Sequence, residues 1–399
     1  MLRRNVAATR ARPVASASPK PRNASPRLHC TRIRAVTIGR LPLTRRLPRI
    51  GVPVRLFAEM VIEHNNPLDA ACAAAPGGPP MYFDPDVVRF FAQAQQSGQP
   101  PMEELPLPQA RAMMRGVAAQ FGFPRVEMAE VRDLQAPGPA APIPLRLYRP
   151  HGLDGGPAPT CLYAHGGGGV VGDLDSHDDV CRQLAARAGC QVLAVDYRLA
   201  PEHPAPAGIE DVIAVVHWVA AHPAEVGADP QRLAVAGDSM GGALAASAAL
   251  AARDAGIALR CQILIYPLTN LRADNPFPSR VHNAGIPPLT EAAMRYFDRQ
   301  YLPDPSLGSD WRISPVVAPD VAGVAPALVV LADRDALHDE GLHYAQRLRE
   351  AGVETLVRVH PGMIHGFINM GRVMRAAGET LDLAALLLRQ RLLPVAAQE

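Results

Sequence analysis

Leu233-Ala234-Val235-Ala236-Gly237-Asp238-Ser239-Met240-Gly241-Gly242 passes from an unbroken apolar run, through a serine set between glycines, into an alanine-rich stretch. An apolar run without alternation suits a strand covered on both faces of a sheet. The alanines that follow suit a helix over about 240–254. A Gly-x-Ser-x-Gly sequence at such a strand-to-helix junction is the turn that projects a serine hydroxyl from a strained corner. Small neighbours are needed because the tight turn must pack against adjoining backbone while the serine stands clear. The helix that opens beneath the serine supplies a partial positive charge where an anion would form.

The alternation continues on either side. Strands are expected at 160–164, 191–196, 232–236, 262–266, 327–332 and 355–359, with helices at about 177–188, 207–221, 240–254, 290–301, 339–351 and 378–392. Strands alternating with helices imply an α/β fold with a mainly parallel central sheet flanked by helices. Upstream, 84–96 and 107–121 read as amphipathic helices, followed by strands at 126–131 and 143–148. A Pro-rich insertion at 267–325 breaks the rhythm. A helical cap is expected from about 81–124 and 270–315, within one domain over 81–399.

A second motif precedes the serine turn. His165-Gly166-Gly167-Gly168-Gly169 follows an expected strand, and such a loop offers backbone N–H donors to an oxyanion. Glycine matters there because a side chain would block the approach of the backbone to a carbonyl. A nucleophilic serine also needs a base, and the base needs an orienting carboxylate. Asp333, Asp335 and Asp339 follow one expected strand, and His360 and His365 follow the next. Both groups lie past carboxyl ends of strands, where open α/β sheets place their sites. His365, between a loop and Gly366-Phe367, is the better base than the Pro-flanked His360. Spacing alone leaves all three aspartates open.

Four stretches together resemble the hormone-sensitive lipase-like family of α/β-hydrolase serine esterases. They are 165–168, the Asp196-Tyr197-Arg198-Leu199-Ala200-Pro201-Glu202-His203-Pro204 segment, 237–242, and the pair formed by Asp335…Asp339-Glu340-Gly341 with His365-Gly366-Phe367. The resemblance covers about 81–399. It implies the α/β-hydrolase fold and hydrolysis of short- to medium-acyl carboxylic esters by a Ser239–His365–Asp335 triad. It also implies oxyanion donors at the N–H groups of Gly167, Gly168 and Met240, with His165 and Gly166 positioning the loop. Three positions depart from the family pattern: Gly169 where an aromatic is usual, Met240 where alanine is, and Ala336 where proline is. They bear on pocket shape rather than on the chemistry. Amide, lactone or N-acetyl hydrolysis at the same site is one alternative, and a non-catalytic small-molecule receptor on the same fold is another.

The formal charge of +2 conceals two unlike parts. Residues 1–58 hold fourteen basic residues and no acid, so 59–399 carries 26 basic residues against 38 acids, a net of −12. Such an acidic body is a poor partner for nucleic acid. No apolar run reaches the length of a membrane span, which argues against stable membrane insertion. Residues 1–80 are expected to be a disordered basic extension and linker, with translation starting at Met60 and 1–59 an over-extended gene model. A cytoplasmic location is expected, or an organelle if 1–59 is a genuine transit peptide, since those are also Arg-rich and acid-poor. The six cysteines lack metal-site spacing and are expected to be reduced and mostly buried. No cofactor and no metal is expected. The expected partners are a small-molecule ester and, at most, a second copy of the chain in a homodimer.

The remaining conspicuous residues take plainer readings. Asp196, Tyr197, Arg198 and Glu202 are expected to form a buried polar network beside the site, and Asp238 to fix a loop by hydrogen bonding. His177, His203, His338 and His343 are expected to be surface or structural. Val87, Phe90, Phe91, Met113, Met114, Met294, Tyr296 and Phe297 are expected to line an apolar roof that tolerates varied alcohol groups.

Overall fold

The computed structural model describes residues 81–153 and 155–393. The basic extension, the start at Met60, Cys30 and Cys72 lie outside the described residues. Among the described residues eight strands form one sheet: β1 (Glu130–Ala136), β2 (Ile143–Arg149), β3 (Ala158–Ala164), β4 (Gln191–Val195), β5 (Ala228–Asp238), β6 (Leu259–Ile265), β7 (Ala327–Arg334) and β8 (Thr355–Ile364). Their spatial order is β1-β2-β4-β3-β5-β6-β7-β8. Only the β1–β2 and β2–β4 pairs are antiparallel. From β4 to β8 every pair is parallel.

The period of two along β5 sorts its side chains between two cores. Leu233 and Val235 join one cluster, with Val215 of α4 (Ala207–Ala221), Leu244 of α5 (Met240–Asp254) and Tyr344 of α8 (His338–Glu350). Ala234 and Ala236 join the other, with Leu184 of α3 (Asp178–Ala188) and Leu388 of α9 (Arg375–Leu392). Both faces of the strand are covered, which is why its sequence is apolar without alternation.

Helices α1 (Pro85–Ser97) and α2 (Leu107–Phe121) precede the sheet, while α6 (Ser279–His282) and α7 (Glu291–Tyr301) come from the Pro-rich insertion. Asp84 and Thr290 cap α1 and α7 with side-chain oxygens that accept from Asp86 N and Ala293 N. The expectation for α1 needs correction. Val87 is fully buried in the core cluster that holds Ile364 and Phe367, and Phe90 and Phe91 pack against it. The backbone bond from Asp84 N to Gly362 O at 3.0 Å holds the start of α1 against the end of β8, and Asp86 accepts from Arg375 N at 3.0 Å.

Candidate active site

Ser239 stands at the junction of β5 and α5 with φ +55° and ψ −121°, a conformation that costs a non-glycine residue on the order of 1–3 kcal/mol. Its surroundings hold it there. Ser239 N donates to Ile265 O at 2.9 Å, and Leu268 N donates to Ser239 O at 3.1 Å. A Cβ on Gly241 would lie 2.0 Å from Ala164 O, and one on Gly237 would lie 2.2 Å from Gly241 O. Only glycine lets β3, β5 and α5 meet this closely.

His365 follows β8, and its Nε2 lies 2.9 Å from Ser239 Oγ. Its Nδ1 lies 2.7 Å from Asp335 Oδ2, so a carboxylate that only accepts fixes Nδ1 as the protonated nitrogen. Asp335 is buried, and its other oxygen accepts from Leu337 N at 2.9 Å. The Tyr266 ring packs 4.6 Å from the imidazole. The rival residues face elsewhere. His360 bonds Thr380 Oγ1 at 2.9 Å, and burial pushes its ring down to about 4. Asp333 accepts from Gly362 N, and Asp339 accepts from Ser279 N.

The glycine loop after β3 lies beside this serine. Gly167, Gly168 and Gly169 take φ values of +118°, +62° and +70°, where a side chain would be strained. Among the described residues, the N–H groups of Gly167, Gly168 and Met240 have no backbone acceptor. Asp238 ties this loop to the serine turn: its carboxylate accepts from Gly166 N at 3.0 Å and from the Tyr163 hydroxyl at 2.9 Å. Burial disfavours its charge, but His177 at 3.3 Å and Tyr163 hold the carboxyl below its usual range. His165 stacks on Tyr197 at 4.4 Å, and burial together with His177 pushes its ring down to about 4. Its Nδ1 lies 2.8 Å from Gly166 O, and the Tyr197 hydroxyl donates to His165 O at 2.8 Å.

The expected network around 196–202 is only partly assembled. Tyr197 belongs to it, but Arg198 turns away to pair with Asp211 at 2.8 Å. Asp196 is half-buried and pushed up to about 6 by burial and by the charge of Asp173. Glu202 is exposed, not buried, because it reaches outward to Arg111 of α2. Over the site, α7 presses aromatic rings on the glycine loop. A Cβ on Gly168 would lie 2.5 Å from Phe297, and one on Gly169 would lie 2.4 Å from Tyr301. Tyr301 thus fills the space beside Gly169, where the family pattern places an aromatic on the loop itself. Ser239 and His365 are left only 9% and 8% exposed.

The family model described as an alpha/beta hydrolase fold matches residues 161–369. The chain is 44% identical over 282 residues to the esterase LipI of Mycobacterium tuberculosis, covering 70% of this chain and 87% of that one. It is 37% identical over 321 residues to an ethyl acetate hydrolase of Pseudomonas putida, covering 78% of this chain and 100% of that one. The chain belongs to the α/β-hydrolase family. A hyperthermophilic esterase from the archaeon Pyrobaculum calidifontis superposes on this α/β-hydrolase with a TM-score of 0.73 at 36% identity, over 78% of this chain and 99% of that one.

Several supporting residues of this α/β-hydrolase were given no role by the sequence. Arg280 of α6 donates from Nε to Glu340 Oε2 at 2.9 Å and from Nη2 to Asn270 O at 3.0 Å. Glu340 is fully buried, and burial pushes its carboxyl up against the opposing pull of Arg280. Asn283 Nδ2 donates to Asp335 O at 2.9 Å. Glu340 lies in the Asp339-Glu340-Gly341 stretch of the family resemblance, but nothing in the sequence gives it a role, because a carboxylate at the start of a helix is otherwise unremarkable. Among the described residues no group of three or more His, Cys, Asp or Glu could hold a metal ion, and no helix is long and apolar enough to cross a membrane.

Proposed function

We propose that Ser239, His365 and Asp335 are the nucleophile, the base and the orienting acid of a carboxylic ester hydrolase. The observation that carries this is the 2.9 Å contact between Ser239 Oγ and His365 Nε2, with Asp335 on the opposite ring nitrogen. His365 Nε2 takes the hydroxyl proton as Ser239 Oγ bonds to the ester carbonyl carbon. The N–H groups of Gly167, Gly168 and Met240 receive the oxyanion, each worth roughly 3 kcal/mol in such a hole. The imidazolium then protonates the leaving alcohol as its C–O bond breaks. Water, deprotonated by His365, hydrolyses the acyl-enzyme and restores the serine. Asp335 fixes the tautomer and stabilises the cation.

The substrate reading is a short- to medium-acyl ester, supported by the rings of Phe297 and Tyr301 close over the glycine loop and by the relative named for ethyl acetate. The reading also includes a cytoplasmic location, supported by buried, unpaired thiols at Cys161, Cys181, Cys190 and Cys261. A fluorophosphonate probe tests the chemistry, because only an activated serine labels. Labelling is expected at Ser239, and Ser239→Ala and Asp335→Asn are each expected to cut kcat about 10³-fold or more. Near-full activity in Ser239→Ala would overturn the assignment. Near-full activity in Asp335→Asn, with loss in Asp333→Asn, would move the acid.

A further inference from the structure

The loop that carries Asp335 is shaped by a segment some sixty residues earlier in the chain. Ser279 Oγ donates to Ala336 O at 2.8 Å and accepts from Asp339 N at 3.1 Å, while Ser279 N donates to Asp339 Oδ2 at 2.8 Å. Asn283 adds its bond to Asp335 O. One residue after Ser279, Arg280 reaches Glu340 and Asn270 O, and its Nη1 lies 3.0 Å from Met294 Sδ of α7. Glu340 in turn accepts from Thr269 N at 2.8 Å and Asn270 N at 3.1 Å. The preceding residue, Leu268, donates to the carbonyl of Ser239.

These contacts close a ring: Ser239 backbone, segment 268–270, Glu340 with Arg280, α6, and back to the loop of Asp335. A buried ion pair is a weak source of stability, because desolvation offsets its attraction and apolar residues of like volume often serve as well. What the pair supplies here is geometry. Glu340 Oε1 and Arg280 Nη2 hold the backbone of 269–270 between them, while Glu340 Oε2 also accepts from Asn275 Nδ2 and Arg280 Nη1 lies against Met294 Sδ.

We infer that Arg280 and Glu340 are positioning residues that hold the Asp335 loop in register with Ser239 and fasten it to α7. The inference rests on the roles proposed above for Ser239, His365 and Asp335. Misplacement of the acid by a fraction of an ångström lowers the rate of proton transfer without weakening substrate binding.

The test uses the full chain and p-nitrophenyl acetate. Arg280→Met combined with Glu340→Gln removes both charges together, so that no lone ion is left buried, and the glutamine still accepts from Thr269 and Asn270. The folded double variant is expected to lose about tenfold or more in kcat with KM within about twofold, and fluorophosphonate labelling of Ser239 should slow in parallel. Arg280→Lys, which keeps the charge but not the forked reach to Asn270, should fall between. A folded double variant with kcat within about twofold of the parent overturns the inference, since a merely structural pair would lower the melting temperature alone. If the double variant does not fold, Asn283→Ala and Arg280→Lys decide: reduced kcat in both supports the inference, and parental kcat in both overturns it. An active Ser239→Ala would instead remove the reading of the site itself.

Discussion

His360 and His365 are separated by four residues and do opposite things. His365 meets a hydroxyl and a carboxylate, whereas His360 is buried against Thr380 and its ring is pushed down to about 4 from an ordinary value of 6.5. Well above pH 6.5 both folded and unfolded chains hold His360 neutral, so it contributes nothing to the pH dependence there. As pH falls through 6.5 the unfolded chain binds the proton first, and stability is lost until the folded ring also titrates near 4. Between pH 7 and pH 5 this amounts to about 2 kcal/mol. His360→Gln, which preserves a partner for Thr380, should therefore show a smaller fall in melting temperature over that interval than the parent, measured by calorimetry at matched ionic strength. An unchanged fall would place the acid sensitivity elsewhere. His365 could be preferred to His360 from sequence because a proline follows the latter and a glycine the former. Spacing offered no such cue for the aspartates, and only the family resemblance singled out Asp335. Asp333 lies at the end of β7, Asp339 in the first turn of α8, and the loop between them is held by Ser279 and Asn283 from far away.

Strands and helices with strong apolar runs were legible, and the weakly patterned ones were not. Near-continuous runs located β5 and β6, yet β1 begins at Glu130 rather than at 126, because Glu130–Ala136 is a mostly exposed edge strand whose charged Glu130, Arg132 and Asp133 break the apolar pattern. Helix α6 has four residues, too few for any periodicity to register, and its role comes wholly from long-range contacts. Helix α2 was legible, but what fastens it was not. Arg111 donates to the carbonyls of Val170 at 3.0 Å and Ala200 at 3.1 Å, besides its forked pairing with Glu202. Glu202 has a half-exposed side chain, so water screens the ion pair to less than about 1 kcal/mol. The two carbonyls belong to buried residues, and stripping their donor costs about 1–3 kcal/mol. Arg111→Ala is thus expected to destabilise by about 2 kcal/mol and Glu202→Ala by less than half of that, compared by urea unfolding. The reverse order would mean that the ion pair, not the carbonyl contacts, fastens α2.

The described residues place the proposed nucleophile, acid and base along one end of the parallel sheet, with α7 against the glycine loop. Phe297 and Tyr301 leave little depth beside Gly168 and Gly169, while the unbranched Met294 adapts to its surroundings. For p-nitrophenyl esters, kcat/KM is expected to be highest at acyl chains of roughly two to eight carbons, with each methylene that finds a pocket adding up to ~0.8 kcal/mol. A maximum at twelve carbons or more would mean an open groove in place of this cover. The sheet also sets the order in which the site comes into being. Ser239 and His365 are 126 residues apart, and the histidine follows β8, an edge strand of the described sheet that pairs with β7 alone. A chain still emerging from the ribosome can pair β5 with its neighbours while Ser239 has no proton acceptor within reach, and one face of that strand waits for α9, which comes later still. With His365 as the proposed base, ester turnover is a clock for the docking of that last strand, and it cannot start while the sheet ends at β7.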